Sequence, residues 1–195
     1  MRELFEEMKR ILSNGEELVL VSVIAGSGST PRGAGARMIV RSDGTTMGTI
    51  GGGAVEYQAS LMAVDVLKEK SSYSKGFRLS KGDVADLGMI CGGDVVVYFQ
   101  YINGKNSDFM EVCDRIISAF DRDEDSWILT DITDETAWAM GIYSKSQGIY
   151  GMELPENIEE LTKTKAVQAE TGSRKYYSEP LVRAGTVYVF GGGHV

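Results

Sequence analysis

The chain has 195 residues and carries 28 acidic against 20 basic side chains, for a formal net charge of −8. With 43% hydrophobic and 25% charged residues, it has the composition of a folded protein, which excludes wholesale disorder. A pI near 4.8 argues against a general nucleic-acid binder, and no apolar run reaches the ~18 residues of a membrane span. Two cysteines exclude a disulfide framework, and the charged first ten residues lack the core of a signal peptide, so we expect a cytoplasmic protein.

The first half of the chain alternates between helical and strand patterns. Its predicted elements are, in chain order, a helix over 1–14, strands over 18–25, 37–41 and 46–50, a helix over 54–70 and a strand over 75–80. The strand at 18–25 is continuously apolar and β-branched, which is typical of a strand that is buried on both faces. The buried face of the helix at 54–70 is expected to contain Val55, Leu61, Met62, Val66 and alanines.

The second half continues this alternation. Its predicted elements are a strand over 94–101, a helix over 107–120, strands over 127–131, 136–143 and 147–152, a helix over 155–169, and strands over 174–178 and 186–190. Alternating helices and strands predict an α/β fold with a mixed sheet and flanking helices. We assign residues 1–185 to one such domain, and leave open a sub-domain that begins at about residue 102.

Glycine is the compositional outlier, with 24 residues where average usage gives about 14. Residues 18–60 hold nine of them, and three arginines there face two carboxylates, so an acidic chain contains a mildly basic region. The triplet Gly51, Gly52 and Gly53 lies where a strand passes into a helix, and backbone amides at such a helix start can bind an anion. Arg32 could add a bidentate phosphate contact, but tight packing in a small domain explains the same glycines equally well.

Few side chains near these glycines offer chemistry. Glu56 follows the triplet in the first helical turn, where it could serve a ligand or cap the helix. Cys91, which precedes two glycines, could present a thiol to a ligand or be a small buried hydrophobe. Cys113 is expected in the core. His194 is the one histidine and stands next to last, which argues against a histidine-based hydrolase.

The last ten residues, 186–195, form an apolar strand pattern followed by three glycines. A strand that runs into glycines is the way in which a dinucleotide-binding βαβ unit begins. Two interpretations stay open. In the first, the chain ends at the first strand and glycine turn of a Rossmann-type domain; in the second, this strand completes the preceding sheet.

Four sequence blocks, taken together and in order, resemble the xanthine dehydrogenase accessory proteins, the XdhC and CoxI family. The blocks are GSTPRGAGARMIV at 28–40, DGTTMGTIGGGAVE at 43–56, DLGMICGGDVVVYF at 86–99 and VYVFGGGHV at 187–195. The resemblance extends over residues 18–101 and the last ten residues. It implies that 186–195 is the truncated start of the family's C-terminal Rossmann-type domain.

This resemblance implies a maturation factor that binds molybdenum cofactor, which is molybdopterin with or without a nucleotide. Such a protein holds the cofactor while an oxo ligand is exchanged for sulfur. The implied partners are an apo molybdenum hydroxylase related to xanthine dehydrogenase and a cysteine-desulfurase-type sulfurtransferase, with no nucleic acid and no membrane; a homodimer is left open. Two alternatives also stay open: an enzyme that modifies a nucleotide or pterin, and a docking module that binds the hydroxylase without cofactor.

The resemblance also implies which residues would bind the cofactor. The expected contacts are Thr30, Arg32, Arg37, Gly51, Gly52, Gly53, Glu56, Cys91, Gly92 and Gly93. Among these, Cys91 is expected near the molybdenum, because a thiolate is a soft ligand for such a metal. Ala54 stands where many relatives have a cysteine after the glycine triplet, so Cys91 would have to supply the thiol, or the chain would do without one.

Overall fold

The computed structural model describes residues 1–28, 33–79, 93–122, 124–134 and 136–181. The helices in these ranges are α1 (Arg2–Ser13), α2 (Gly53–Glu69), α3 (Ser107–Ala119) and α4 (Ile158–Leu161). The strands are β1 (Leu18–Gly28), β2 (Arg37–Arg41), β3 (Thr46–Thr49), β4 (Tyr73–Leu79), β5 (Gly93–Ile102), β6 (Ser126–Asp131), β7 (Ala139–Ser144), β8 (Gly148–Tyr150), β9 (Val167–Thr171) and β10 (Arg174–Pro180). The strand expected at 186–190 lies outside the described residues.

These strands form two five-stranded sheets. The first sheet has the order β3-β2-β1-β5-β4, and the second has the order β8-β7-β6-β10-β9. The predicted α/β class with flanking helices is confirmed, but in place of one mixed sheet there are two sheets, in which every strand pair within the described ranges is antiparallel. Among the described residues, no helix combines the length and the hydropathy that a membrane crossing needs.

Strand β1 lies at the centre of the first sheet and is buried on both faces, as its continuous apolar run predicts. Leu18 and Leu20 face a core to which α1 and α3 contribute, whereas Val19 and Val21 face a second core under α2. Successive side chains of a strand point to opposite faces, so one apolar run serves both cores. The first core also contains Ile128 and other residues of the second sheet, and therefore joins the two sheets. The assignment of one domain over 1–185 stays a prediction.

Helix α2 packs on the first sheet through small side chains. Ala59 and Ala63 are fully buried in the second core, together with Val66. Leu61 is 53% exposed and Tyr57 is 66% exposed, so the expectation that Leu61 belongs to the buried face is wrong. The helix has apolar residues around most of its circumference, so the pattern alone could not select the face, whereas alanines let the helix backbone approach the strands closely.

The helix predicted over 155–169 is also wrong. Only Ile158–Leu161 is helical, and Val167–Thr171 is strand β9, which pairs with β10 across a turn. The Trp127 indole donates a hydrogen bond of 2.8 Å to the Lys163 carbonyl, which holds the chain between these two elements in a non-helical path. Pairing within the second sheet has therefore overridden a weak helical preference.

Candidate functional site

Three glycine-rich segments leave the first sheet at the same end. Strand β1 finishes at Gly28, directly opposite Gly93 at the start of β5, and Gly93 also faces Leu79 at the end of β4. Strand β3 finishes at Thr49, opposite Arg37 at the start of β2. Because neighbouring strands run in opposite directions, all five of these termini lie on one side of the sheet. We call this side the glycine end.

The two inner strands extend beyond the hairpin at the glycine end. Arg37 pairs with Ser22, which precedes Gly28 by six residues, or about 20 Å along the strand. The segments attached at Gly28 and Gly93 therefore begin further out than the triplet Gly51–Gly53. A ligand that contacted both the triplet and the segments attached at Gly28 and Gly93 would have to extend along the projecting part of β1 and β5.

A cavity of about 410 Å³ lies beside this projecting part. Ala25 and Val96, which are paired across β1 and β5, line it from the first sheet. Gln168 and Lys175 line it from the second sheet. Its volume is within the usual range of small-molecule sites, about 300–1,000 Å³, and its wall combines apolar and polar side chains.

The amides around the glycine triplet are used by the chain's own Glu56. One carboxylate oxygen of Glu56 accepts hydrogen bonds from the Thr49 hydroxyl at 2.5 Å and from the backbone N–H groups of Ile50 and Gly52, each at 2.9 Å. The N–H of Gly51 donates to Thr49 Oγ1 at 3.0 Å. Glu56 is thus a capping residue at the start of α2, and two of the donors that we expected for an external anion, the amides of Gly51 and Gly52, already have a partner.

These hydrogen bonds also set the ionisation of Glu56. Burial raises the pKa of this carboxyl, but the bonds from Thr49, Gly52 and Ile50 together lower it by more, so the net pKa lies below its usual value. The corner itself requires glycine, because the φ angles at Gly51, Gly52 and Gly53 are 132°, 75° and 64°. No atom of the described residues lies within 4 Å of a Cβ placed on Gly52.

The side chain of Arg37 is directed into the protein. This side chain is 3% exposed, and its Nη1 donates to the Glu179 carboxylate and, at 3.2 Å, to the Gly35 carbonyl. The Tyr177 hydroxyl donates to the other Glu179 oxygen at 2.8 Å. Glu179 and Tyr177 belong to β10, so this buried cluster connects the two sheets.

The other expected site residues are placed as follows. Gly93 begins β5, whereas Thr30, Arg32, Cys91 and Gly92 lie outside the described residues. Cys113 is fully buried in the core, where burial, with a smaller effect of Asp114, raises the pKa of its thiol to about 12. In the described part of the chain, no group of three or more His, Cys, Asp or Glu side chains could hold a metal.

Sequence reasoning missed three residues at this end of the molecule. Thr49 could have been found, because a hydroxyl stands directly before the glycine triplet. Glu179 and Tyr177 could not, because Glu179 lies 142 positions from Arg37 in a strand without any recognisable motif. Their alternate spacing shows only that both side chains share one face of β10.

Comparison with known proteins confirms the resemblance that the sequence blocks indicate. Residues 11–74 match the XdhC and CoxI family, a range that includes the blocks at 28–40 and 43–56. The chain is 30% identical over 95 residues to the uncharacterized protein YqeB of Escherichia coli K12, a match that covers 49% of this chain and 17% of YqeB. It is 32% identical over 87 residues to the molybdenum cofactor insertion chaperone PaoD of the same organism, covering 44% of this chain and 27% of PaoD.

One solved structure extends the comparison to nearly the whole chain. A Bacillus halodurans protein described as a xanthine dehydrogenase superposes with a TM-score of 0.67 at 18% identity, over 92% of this chain and 53% of that chain. At this identity the similarity shows the fold alone. The match covers about half the length of that protein, and the matches to the two curated relatives each cover less than a third of the relative's length.

Proposed function

We propose that the glycine end holds molybdenum cofactor and that the chain is a maturation factor for a molybdenum hydroxylase. The observation that carries this proposal is that Gly28, Thr49 and Gly93, the strand ends to which the GSTPRGAG, GGG and CGG segments are attached, lie at one end of the first sheet. These segments come from three of the blocks on which the family resemblance rests. The family match and the similarity to an insertion chaperone support the same role.

We assign the contacts of the cofactor by chemical type. Its phosphate, with or without an attached nucleotide, suits the Arg32 guanidinium, the Thr30 hydroxyl and free backbone amides. The molybdenum, which supplies exchangeable oxo and sulfido ligands when the cofactor is bound, suits the Cys91 thiolate followed by Gly92 and Gly93. The cavity of about 410 Å³ beside β1 and β5 offers a wall for the organic part of the cofactor.

The glycine triplet Gly51–Gly53 suits the shaping of the corner better than the binding of a phosphate. Two of the amides that would bind a phosphate there donate to Glu56, whose carboxylate would also repel an anion. We therefore assign Gly51, Gly52, Gly53 and Glu56 to the shape of the corner, and a phosphate would reach the amides of Ile50 and Gly52 only by displacing Glu56.

The proposed partners follow from the proposed cargo. An apo hydroxylase would receive the cofactor, and a cysteine-desulfurase-type sulfurtransferase would supply the sulfur in the cytoplasm. Whether the chain acts as a homodimer is left to the same experiments. Because the chain spans only part of its relatives, transfer and sulfuration by this chain are themselves part of the proposal.

Cofactor retention tests this function. The purified chain is mixed anaerobically with released molybdenum cofactor and passed through gel filtration, and protein-bound molybdenum and pterin are measured. We expect near-stoichiometric retention by the wild type and a loss of at least tenfold in bound molybdenum for Cys91→Ala. No retention by a folded wild-type chain would contradict the function and favour a docking module, and unchanged retention by Cys91→Ala would contradict the role of that thiol.

Cys113→Ala is the matched control. It also removes one thiol, but from a fully buried position whose pKa of about 12 leaves no thiolate at neutral pH. We expect it to lower the melting temperature while retaining cofactor like the wild type, because the core loses volume and the site does not change.

A further inference from the structure

We infer that Arg37 is a positioning residue, which fixes the glycine-rich loop through a buried cluster with Glu179 and Tyr177 and does not itself contact the cofactor. Arg37 is part of the sequence block that resembles the family, and its two partners lie in the second sheet, outside the matched residues 11–74. The inference rests on the proposed function only in what the loop binds.

The first evidence is the burial of the charges. The Arg37 and Glu179 side chains are 3% and 5% exposed, and they form an ion pair between β2 and β10. The Tyr177 hydroxyl donates to the second carboxylate oxygen, so both oxygens of Glu179 have partners. A buried ion pair often adds little stability over apolar side chains, but removing one member leaves an uncompensated charge, which is costly.

The second evidence is the way in which this cluster holds Gly35. The Gly35 carbonyl accepts from Arg37 Nη1, and the Gly35 N–H donates to the Val23 carbonyl at 2.9 Å. The φ angle of Gly35 is +96°, and a Cβ at this position would overlap Glu179 Oε2. Gly35 therefore packs directly against the Glu179 carboxylate, and a residue with a Cβ at this position would have to displace that carboxylate.

The consequence concerns the loop between β1 and β2. Gly35 is three positions from Arg32, and the cluster fixes the point at which the loop rejoins the first sheet. Arg37 Nε has no hydrogen-bond partner among the described residues, so the cluster is not optimised as a set of hydrogen bonds. We therefore assign to the cluster the role of fixing the position of Gly35. The second sheet thereby contributes to a site that is built on the first.

The test is a double-mutant cycle with Arg37→Met, Glu179→Met and the double variant. Hydrogen exchange of the backbone amides at 33–36 is measured without cofactor, and cofactor retention is measured in parallel. Each single variant leaves one charge buried alone, so we expect at least tenfold faster exchange and a comparable loss of retention. The double variant removes both charges at similar side-chain volume but also removes the hydrogen bond from Arg37 to the Gly35 carbonyl, so we expect it to recover part, but not all, of both properties.

Two results would overturn the inference. A double variant with slow exchange but with retention as low as that of Arg37→Met would show that the guanidinium contacts the cofactor. Single variants whose loop exchanges like the wild type would show that the cluster does not position it. Tyr177→Phe keeps both charges and removes one hydrogen bond; if the methionine variants fail to fold, it must still accelerate exchange at 33–36 for the inference to hold.

Failure of the proposed function would be distinguishable from failure of this inference. If the wild-type chain retains no cofactor, the proposed function fails, whereas exchange at 33–36 in the cofactor-free protein still decides whether the cluster fixes the loop.

Discussion

The hydrogen bonds of Glu56 decide between two interpretations of this residue, which follows the glycine triplet Gly51–Gly53. The sequence allowed either a ligand contact or a helix cap at this position, and three hydrogen bonds to one oxygen identify the cap. Because the hydrogen bonds favour the ionised form, the pKa of Glu56 is lowered and its contribution depends on pH. A lowered pKa contributes stability that is fully present above the unfolded value near 4.5 and is lost as the pH falls through the folded value.

Replacing Glu56 by Gln should therefore reduce the free energy of unfolding by about 1.5–3 kcal/mol at neutral pH, the range for hydrogen bonds to a charged group. The difference between wild type and variant should shrink as the pH falls below the unfolded value of 4.5. Urea unfolding of both proteins at neutral and acidic pH measures this difference in the free energy of unfolding. Glu69→Gln, at the exposed end of α2, is the control and should change little. A difference that stays constant down to about pH 3 would contradict the role of the ionised cap.

Arg37 illustrates what single residues in a sequence cannot reveal. Its place in a conspicuous block suggested a ligand contact, but the partner of its charge stands at Glu179, in the other half of the chain. No local pattern encodes such a pair, because a buried ion pair needs only two positions that the tertiary fold brings together. Cys113, in contrast, was assigned to the core correctly from its helical apolar neighbours.

Helix α2 was predicted in position but not in orientation. Its start after the glycine triplet and its length agree with the sequence pattern, since the structure places it at Gly53–Glu69. Its buried residues are three alanines, Val66 and Leu67, and a ranking by side-chain size does not select the alanines. Strand β9 was missed because its pairing with β10 holds it as a strand, and the residues of β9 alone do not indicate that pairing.

Two substitutions on α2 distinguish its faces. Ala63→Leu should destabilise the protein by about 1–3 kcal/mol, because the fully buried Ala63 has no room for added carbon atoms against the first sheet. Leu61→Ala, two positions away on the exposed face, should change the free energy of unfolding by less than about 0.5 kcal/mol. Urea denaturation measures both. A larger cost for Leu61→Ala than for Ala63→Leu would show that Leu61 is the residue in the core.

At the scale of the molecule, the two sheets are joined by shared apolar clusters and by a charge cluster. Leu20 and Ile128 belong to the same apolar cluster, although they come from different sheets, and Arg37 meets Glu179 across the same junction. The strand patterns and glycine blocks predicted most elements of the first sheet. The meeting of the blocks at one end could not be predicted, because it depends on the strand order β3-β2-β1-β5-β4, which spacing along the chain does not determine.

Hydrogen exchange of the full chain with and without bound molybdenum cofactor tests the location of the site most directly. We expect bound cofactor to slow exchange of the amides near Gly28, at 33–36 and near Gly93, the segments that leave the glycine end. Strand β8, at the edge of the second sheet, serves as the internal control and should exchange at the same rate in both states. Protection confined to β8 and its neighbours, or equal exchange everywhere while the cofactor is bound, would contradict a cofactor site at the glycine end.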